Sequence, residues 1–344
     1  MSRLERLQTG LEEPLLVTSL VNVRYLTGFE SSNAALVVEP GRVRLFTDFR
    51  YASAARNVEG VEPVEIERNL LAGLGRELED RIAFESQHVT YAGYETLQQA
   101  GLELVPRRGV VEALRAVKDE DELDRIRRAA EISDRVFERL AEERFAGRSE
   151  RELVWRVQEL MHEEGADAPG FDAIVAAGPT GSVPHAHPGD RLVGAGETVV
   201  IDLGARLEGY TSDCTRTFAV EGLEGQLAEA YLVCLEAQVA AVDSVRPGVS
   251  GRDADAVARR IIDGTPFNGR FGHGLGHGVG LEVHEAPALR PESEDVLVAG
   301  NVVTVEPGIY LEGEGGIRIE DLVVVNEGGA EILTSFPKEL TTVR

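Results

Sequence analysis

The apolar residues of this chain fall into two textures. Up to about Pro106 they come as short runs, Leu15-Leu16-Val17, residues 34–38 and residues 43–46, and runs of that length bounded by turn residues read as strands. Glu39-Pro40-Gly41-Arg42 separates two of them and reads as a hairpin turn. Residues 50–55 predict a short helix, and residues 82–84 and 102–105 two further strands, so this stretch predicts a small α/β domain. After Lys118 the period changes. Leu123, Ile126, Ala130, Phe137 and Leu140 recur at helical spacing among charged residues, which predicts a long amphipathic helix and places a domain boundary between residues 1–113 and 114–344. Ser149 with Glu152, and Ser250 with Asp253, are capping-box signatures ahead of apolar helices. Strands are expected at residues 198–203, 215–220, 301–305 and 317–325, making the second domain α+β.

That domain contains an internal echo. Asp202-Leu203-Gly204, then Leu207-Glu208-Gly209, then Asp213, resembles Glu306-Pro307-Gly308, then Leu311-Glu312-Gly313, then Glu320. Each copy reads as a strand ending in an acidic residue, a glycine-bearing reversal, and a return segment carrying a second acidic residue. Two pseudo-symmetric halves would thus contribute two carboxylates each to one centre. Asp202 follows Val199-Val200-Ile201 and Glu306 follows Val302-Val303-Thr304-Val305, so both emerge from runs expected to be buried. Buried carboxylates need a cation.

Composition narrows the function classes. The 344 residues carry 60 Asp plus Glu against 35 Lys plus Arg, a formal charge of -25 that repels nucleic acid and anionic lipid surfaces. The two cysteines, Cys214 and Cys234, fit neither a disulfide framework nor a thiolate metal site. No apolar run approaches the roughly 18–20 residues of a membrane span, and the expected location is the cytoplasm.

Five of the seven histidines, His185, His187, His273, His277 and His284, fall within one stretch of 100 residues, while His88 and His162 read as ordinary surface or core imidazoles. From Gly272 to Gly280 every second residue is glycine, which lets the backbone crowd close to an inserted group. Neither a phosphate-binding G-x-G-x-x-G nor a G-x-S-x-G nucleophile elbow occurs. Four carboxylates with one imidazole make a hard, oxygen-rich site that suits Mn²⁺ first and permits Co²⁺, Zn²⁺ or Fe²⁺. Charge balance favours two divalent ions, and such a pair activates water and polarises a carbonyl, so the implied chemistry is hydrolysis.

At these residues the sequence resembles the pita-bread metallopeptidases, in the branch containing Xaa-Pro aminopeptidase and prolidase. The resemblance is carried by Pro184-His185, Ile201-Asp202-Leu203-Gly204-Ala205, Thr211-Ser212-Asp213-Cys214-Thr215, Gly272-His273 through His284-Glu285, Val305-Glu306-Pro307-Gly308 and Arg318-Ile319-Glu320-Asp321. Arg24-Tyr25-Leu26-Thr27-Gly28-Phe29 and Thr47-Asp48-Phe49-Arg50-Tyr51 look like that branch's smaller creatinase-type N-terminal domain. The resemblance implies that Asp213 and Glu320 bridge two ions, that Asp202 chelates one, and that His277 with Glu306 completes the other. It makes His185 and His284 substrate-contacting histidines, Glu306 also the proton shuttle, and His273, Tyr310 and Arg318 orienting or substrate-binding groups. It further implies a homodimer, and a peptide substrate with proline in second position.

One departure bears on substrate. Prolidases of this branch commonly place an arginine four residues after the outer histidine to hold a dipeptide's carboxylate, and here that place is Ala288, with Arg290 two residues on. The reading is therefore an Xaa-Pro aminopeptidase, with an Xaa-Pro dipeptidase as the alternative. A metal-free binding protein, a creatinase-like amidinohydrolase and a methionine aminopeptidase are the remaining competitors.

Overall fold

The computed structural model describes residues 1–78 and 81–344 and divides into two compact units, Met1–Arg115 and Ala116–Arg344. In the first unit a six-stranded mixed sheet runs in the order Glu62–Glu65, Arg42–Thr47, Ala34–Glu39, Leu15–Val17, Arg81–Glu85, Glu103–Arg107. Leu15, Leu16 and Val17 are all buried, as a central strand covered on both faces requires. Leu16, Val37, Phe46 and Phe84 form its core with Leu74 and Leu97 from the helices Leu70–Glu77 and Tyr91–Gln99. Pro40 and Gly41 make the expected hairpin turn, with Gly41 at φ 79°. The expected helix at 50–55 is only the single turn Ala52–Ala55, because Arg50 is held back outside it, donating from Nε and its backbone to Asp48 Oδ1 at 2.9 and 3.0 Å.

The second unit is α+β and built twice. Each half opens with two helices, Glu120–Ala141 and Glu150–Glu163 in one, Gly225–Ser244 and Gly251–Asp263 in the other. Each then lays a sheet against its helix pair, antiparallel throughout in the second half and, in the first, antiparallel except for the parallel edge strand Thr341–Val343, and each has its own apolar core. Ile132, Phe137, Leu153 and Leu160 meet Val199, Ile201 and Phe218 in the first. Cys234, Ala237, Ala258 and Ile262 meet Val303, Val305 and Val323 in the second.

Topology repeats as well. Thr198–Leu203 pairs with Cys214–Val220 across the small hairpin Ala205–Leu207/Tyr210–Thr211, and Val302–Val305 pairs with Asp321–Asn326 across Gly308–Leu311/Gly315–Arg318. The expected single strand at 317–325 is thereby two strands in two different sheets, and Ile319 and Glu320 form the break between them. Ser149 and Glu152 form the full reciprocal cap, at 3.2 and 2.7 Å. Ser250 caps its helix by accepting from Asp253 N, but the shorter Asp253 side chain takes the Ser250 hydroxyl instead of reaching the cap's N–H.

Candidate metal centre

Strand alternation puts the chemistry on the faces turned away from the helices. Val199, Ile201 and Leu203 point into the first core, so Asp202 points the other way, and Thr215 lies directly across the pair from it. In the second half Val303 and Val305 take the core side, leaving Thr304 and then Glu306 on the opposite face. Asp213 stands just before Cys214–Val220, Glu320 fills the break before Asp321–Asn326, and His277 is the middle residue of Gly276–Gly278, which pairs with Val302–Val305.

These five side chains meet. Asp202, Asp213 and Glu320 each bring a carboxylate oxygen within 4.8 Å of the others. His277 Nε2 lies 3.7 Å from Asp213 Oδ2 and 3.3 Å from Glu306 Oε1. Its Nδ1 sits 3.2 Å from the Gly278 carbonyl and donates there, while Nε2 faces the carboxylates; against the effect of burial, the hydrogen bond and charge of Glu306 favour a proton on Nε2, and a metal ion would take that proton's place on the Nε2 lone pair.

The electrostatics call for a cation. Burial, then the charges of Glu320 and Asp202, push the Asp213 carboxyl well above its usual range. Burial followed by Glu306 and Asp202 does the same to Glu320. Glu306 is buried too, but its hydrogen bond with His277 and the positive charges of His277 and Arg318 outweigh that and hold it at about 2. Asp202 Oδ1 is buried and accepts no hydrogen bond among the described residues. Orphaned carboxylate oxygen, three crowded acids and an available imidazole nitrogen are the donor set that a hard or borderline divalent ion satisfies.

A second ring of contacts fixes the acids. Arg318, itself buried, donates from Nη2 to Asp202 Oδ2 at 2.7 Å, and also to Thr215 Oγ1, the Tyr310 hydroxyl and the Pro184 carbonyl. Tyr310 in turn is 2.8 Å from His273 Nε2, whose Nδ1 faces the Gly274 carbonyl, so both nitrogens of His273 are engaged. Burial raises the Tyr310 hydroxyl to about 12 and lowers His273, so Tyr310 donates to a neutral imidazole. His185 and His284 line the same cavity of about 560 Å³, with Phe171, Ile174 and Val283 as its apolar wall. The His284 ring lies edge-on to His277 with centroids 4.3 Å apart. His187 is exposed and does not line it.

Several contributors are not singled out by the sequence reading. Thr215 donates to Glu320 Oε2 at 2.6 Å, and Thr304 to Glu306 Oε1 at 3.2 Å while accepting from His277 N at 3.1 Å. Each threonine stands two residues from an acid on a strand face, a spacing that could have drawn attention to it. The pair Asp255–Arg259 anchors the approach to His277, with Asp255 accepting from Leu275 N and Arg259 donating to the Phe271 and His273 carbonyls. The alternating glycines also have a different purpose from the expected one. A Cβ on Gly276 would lie 2.0 Å from Thr304 O and one on Gly278 2.2 Å from Ala286 O, so neighbouring strands, not an inserted group, occupy that space. In the first unit Glu85, His88 and Glu112 also cluster, but Glu85 accepts from Thr18 N, Ser19 N and Asn22 Nδ2, closing the start of the helix Leu20–Thr27.

Comparison with known proteins follows this geometry. Residues 124–327, which include all five clustered side chains, match Metallopeptidase family M24, and residues 3–117 match the Creatinase/Prolidase N-terminal domain. The chain belongs to metallopeptidase family M24. It is 36% identical to an Xaa-Pro dipeptidase from Bacillus anthracis, with a TM-score of 0.95 and 99% of each chain covered. It is 35% identical to an X-Pro aminopeptidase from Thermotoga maritima, with a TM-score of 0.90 over 99% of this chain and 100% of the other. Over 231 residues, 67% of this chain and 66% of the relative, it is 42% identical to an Xaa-Pro dipeptidase from Pyrococcus furiosus. The M24 chain is thus a creatinase-type domain followed by a pita-bread catalytic domain, and no helix among its described residues is long and apolar enough to cross a membrane.

Proposed function

We propose that this protein is a dinuclear-metal Xaa-Pro dipeptidase, releasing the residue that precedes proline from a dipeptide. The observation that carries the metal chemistry is the convergence of Asp202, Asp213, His277, Glu306 and Glu320 in one cavity, with the buried Asp202 Oδ1 left without a hydrogen bond. The dipeptidase assignment is supported by the relatives from Bacillus anthracis and Pyrococcus furiosus, and it departs from the aminopeptidase expectation.

Asp202, Asp213, His277, Glu306 and Glu320 would together hold the two ions. Mn²⁺ is the preferred ion for so oxygen-rich a set. The bound ions supply Lewis acidity and a water activated near neutral pH. The chain's own residues do the rest. Glu306, held ionised, accepts a proton at Oε1 or Oε2 and passes it to the leaving proline nitrogen. His185 and His284, lining the cavity, donate to the carbonyl oxygen as charge develops on it. Burial and the neighbouring His277 hold His284 below its ordinary value, so it is neutral and free to donate one N–H. The same reading carries the homodimer and the cytoplasmic location inferred from the sequence.

A second reading, the aminopeptidase, is favoured by Ala288, which offers a methyl where a carboxylate clamp is expected, and by the relative from Thermotoga maritima. Mass spectrometry of the Mn²⁺-loaded protein with Ala-Pro and with Ala-Pro-Ala separates the two. Alanine released from the dipeptide alone supports the dipeptidase. Release from the tripeptide overturns it in favour of the aminopeptidase, and release from neither removes both.

A further inference from the structure

His185 reaches the cavity from a loop, whereas the metal-binding side chains come from strands and their ends. It is exposed, and its imidazole has no hydrogen-bond partner among the described residues. Its place is therefore set by the backbone that carries it. That backbone, residues 178–188, leaves the strand Ile174–Ala177 and returns beside the start of the helix Glu150–Glu163.

One buried side chain grips both ends of this loop. Glu150, only 1% exposed, accepts from Ala177 N at Oε1 (3.0 Å) and from Gly189 N at Oε2 (2.9 Å). Its own N–H donates to the Arg191 carbonyl and that of Arg151 to the Gly189 carbonyl, so the carboxylate is anchored at the loop's return. Both amides are charge-assisted donors away from water, so losing the carboxylate leaves them unpaired. Two contacts then locate the middle of the loop. A Cβ on Gly316 would lie 2.0 Å from Gly181 O, so the turn Gly178–Ser182 rests against bare backbone. Arg318 donates to the carbonyl of Pro184, the residue before His185, at 3.2 Å while holding Asp202 at 2.7 Å. One guanidinium thus ties the histidine's backbone to a metal-binding acid.

We propose that Glu150 is a positioning residue for the peptidase reaction: by closing the loop 178–188 it holds His185 where the imidazole donates to the carbonyl oxygen as charge develops. This rests on the peptidase reading above and deepens it. Glu150 does not line the cavity, so it acts through the loop and not on the substrate. A donor that serves the developing charge must already be in place, and a displacement of about 1 Å costs about 100-fold in rate. Releasing either end of the loop should therefore slow turnover and leave substrate binding and the metal-binding side chains as they were.

The test uses Mn²⁺-loaded protein and whichever of Ala-Pro and Ala-Pro-Ala the wild type cleaves, in wild type, Glu150→Gln, His185→Ala and the double variant. Glu150→Gln keeps the shape and one acceptor but turns an NH₂ group toward the other amide. It is expected to lower kcat about 10- to 100-fold with KM within about twofold of wild type, and to add no further loss in the His185→Ala background. Retained Mn²⁺ should equal that of the wild type. Hydrogen exchange of the metal-free protein reads the clamp without activity, and the Ala177 and Gly189 amides should exchange faster in Glu150→Gln. Glu150→Asp, which keeps the charge but is too short to span both amides, replaces Glu150→Gln in every comparison if that variant does not fold. An unchanged kcat, an equal loss with and without His185, a fall in Mn²⁺ matching the fall in kcat, or unchanged exchange at Ala177 and Gly189 overturns the role of Glu150. If the wild type cleaves neither peptide, the peptidase reading itself fails, and this inference with it.

Discussion

Asp213 concentrates the tension of the site: buried, facing Glu320 and Asp202, with His277 3.7 Å away, it is a carboxylate that its surroundings resist ionising unless a cation is present. Asp213→Asn should therefore lower turnover of Ala-Pro by at least about 10²- to 10³-fold. It should also leave the metal-free protein as stable as the wild type or more so, because one buried negative charge is gone. Melting curves with and without Mn²⁺ check this, since the variant should lose the metal-dependent rise. Arg216 shows the opposite case, a buried charge that is fully answered. It donates to Asp321 Oδ1 at 2.9 Å, to the Phe336 carbonyl at 2.6 Å and to the Glu320 carbonyl, behind the face that carries the metal centre. Arg216→Met keeps much of the volume but leaves these acceptors unpaired, and should cost about 3–5 kcal/mol, read from the urea midpoint. Asp202 and Glu306 were legible in the sequence because each ends a strongly apolar run, and Asp213 and Glu320 because each stands on the return segment of the repeated glycine-bearing reversal. Asp255 and Arg259 were not, since their partners at Phe271, His273 and Leu275 are reached only after the helix turns back.

Between elements, the close approach of strands decides how accurately the ligands are held. Gly276 precedes His277, and an added Cβ would meet the backbone of Thr304 at 2.0 Å, where no flexible side chain can give way. Gly276→Ala should force Gly276–Gly278 away from Val302–Val305, displacing His277 from Glu306. The expected result is a clear fall in bound Mn²⁺ as well as in melting temperature, measured by elemental analysis of the dialysed protein. The strands and capped helices of the catalytic unit were largely legible, because period-two and helical spacing report directly on burial. The break at Ile319 and Glu320 was not. Residues 317–325 are apolar enough to read as one strand, yet Gly315–Arg318 pairs with Gly308–Leu311 and Asp321–Asn326 with Val302–Val305. Only the pairing partners, distant in sequence, reveal that Glu320 sits where the chain changes sheet.

At the scale of the whole molecule, two similar halves each bring acids to a shared centre, and the centre sets how stability depends on pH. Asp213 and Glu320 have folded-state values raised above the ordinary 3.8 and 4.5. Their contribution to the stability of the metal-free fold is fully present below those ordinary values and is lost as pH rises through the raised ones. EDTA-treated protein should then melt at lower temperature at about pH 8 than at about pH 5, with a shallower slope in Asp213→Asn, and Mn²⁺ should flatten the wild-type slope. The echo between residues 202–213 and 306–320 made the shared centre visible in the sequence. The most direct test of the account is the number of Mn²⁺ ions retained per chain, with activity on Ala-Pro followed as metal is returned to EDTA-stripped protein. Two ions per chain, with turnover rising as both sites fill, is the predicted result. Full turnover by the stripped protein, or no Mn²⁺ retained at all, would contradict it.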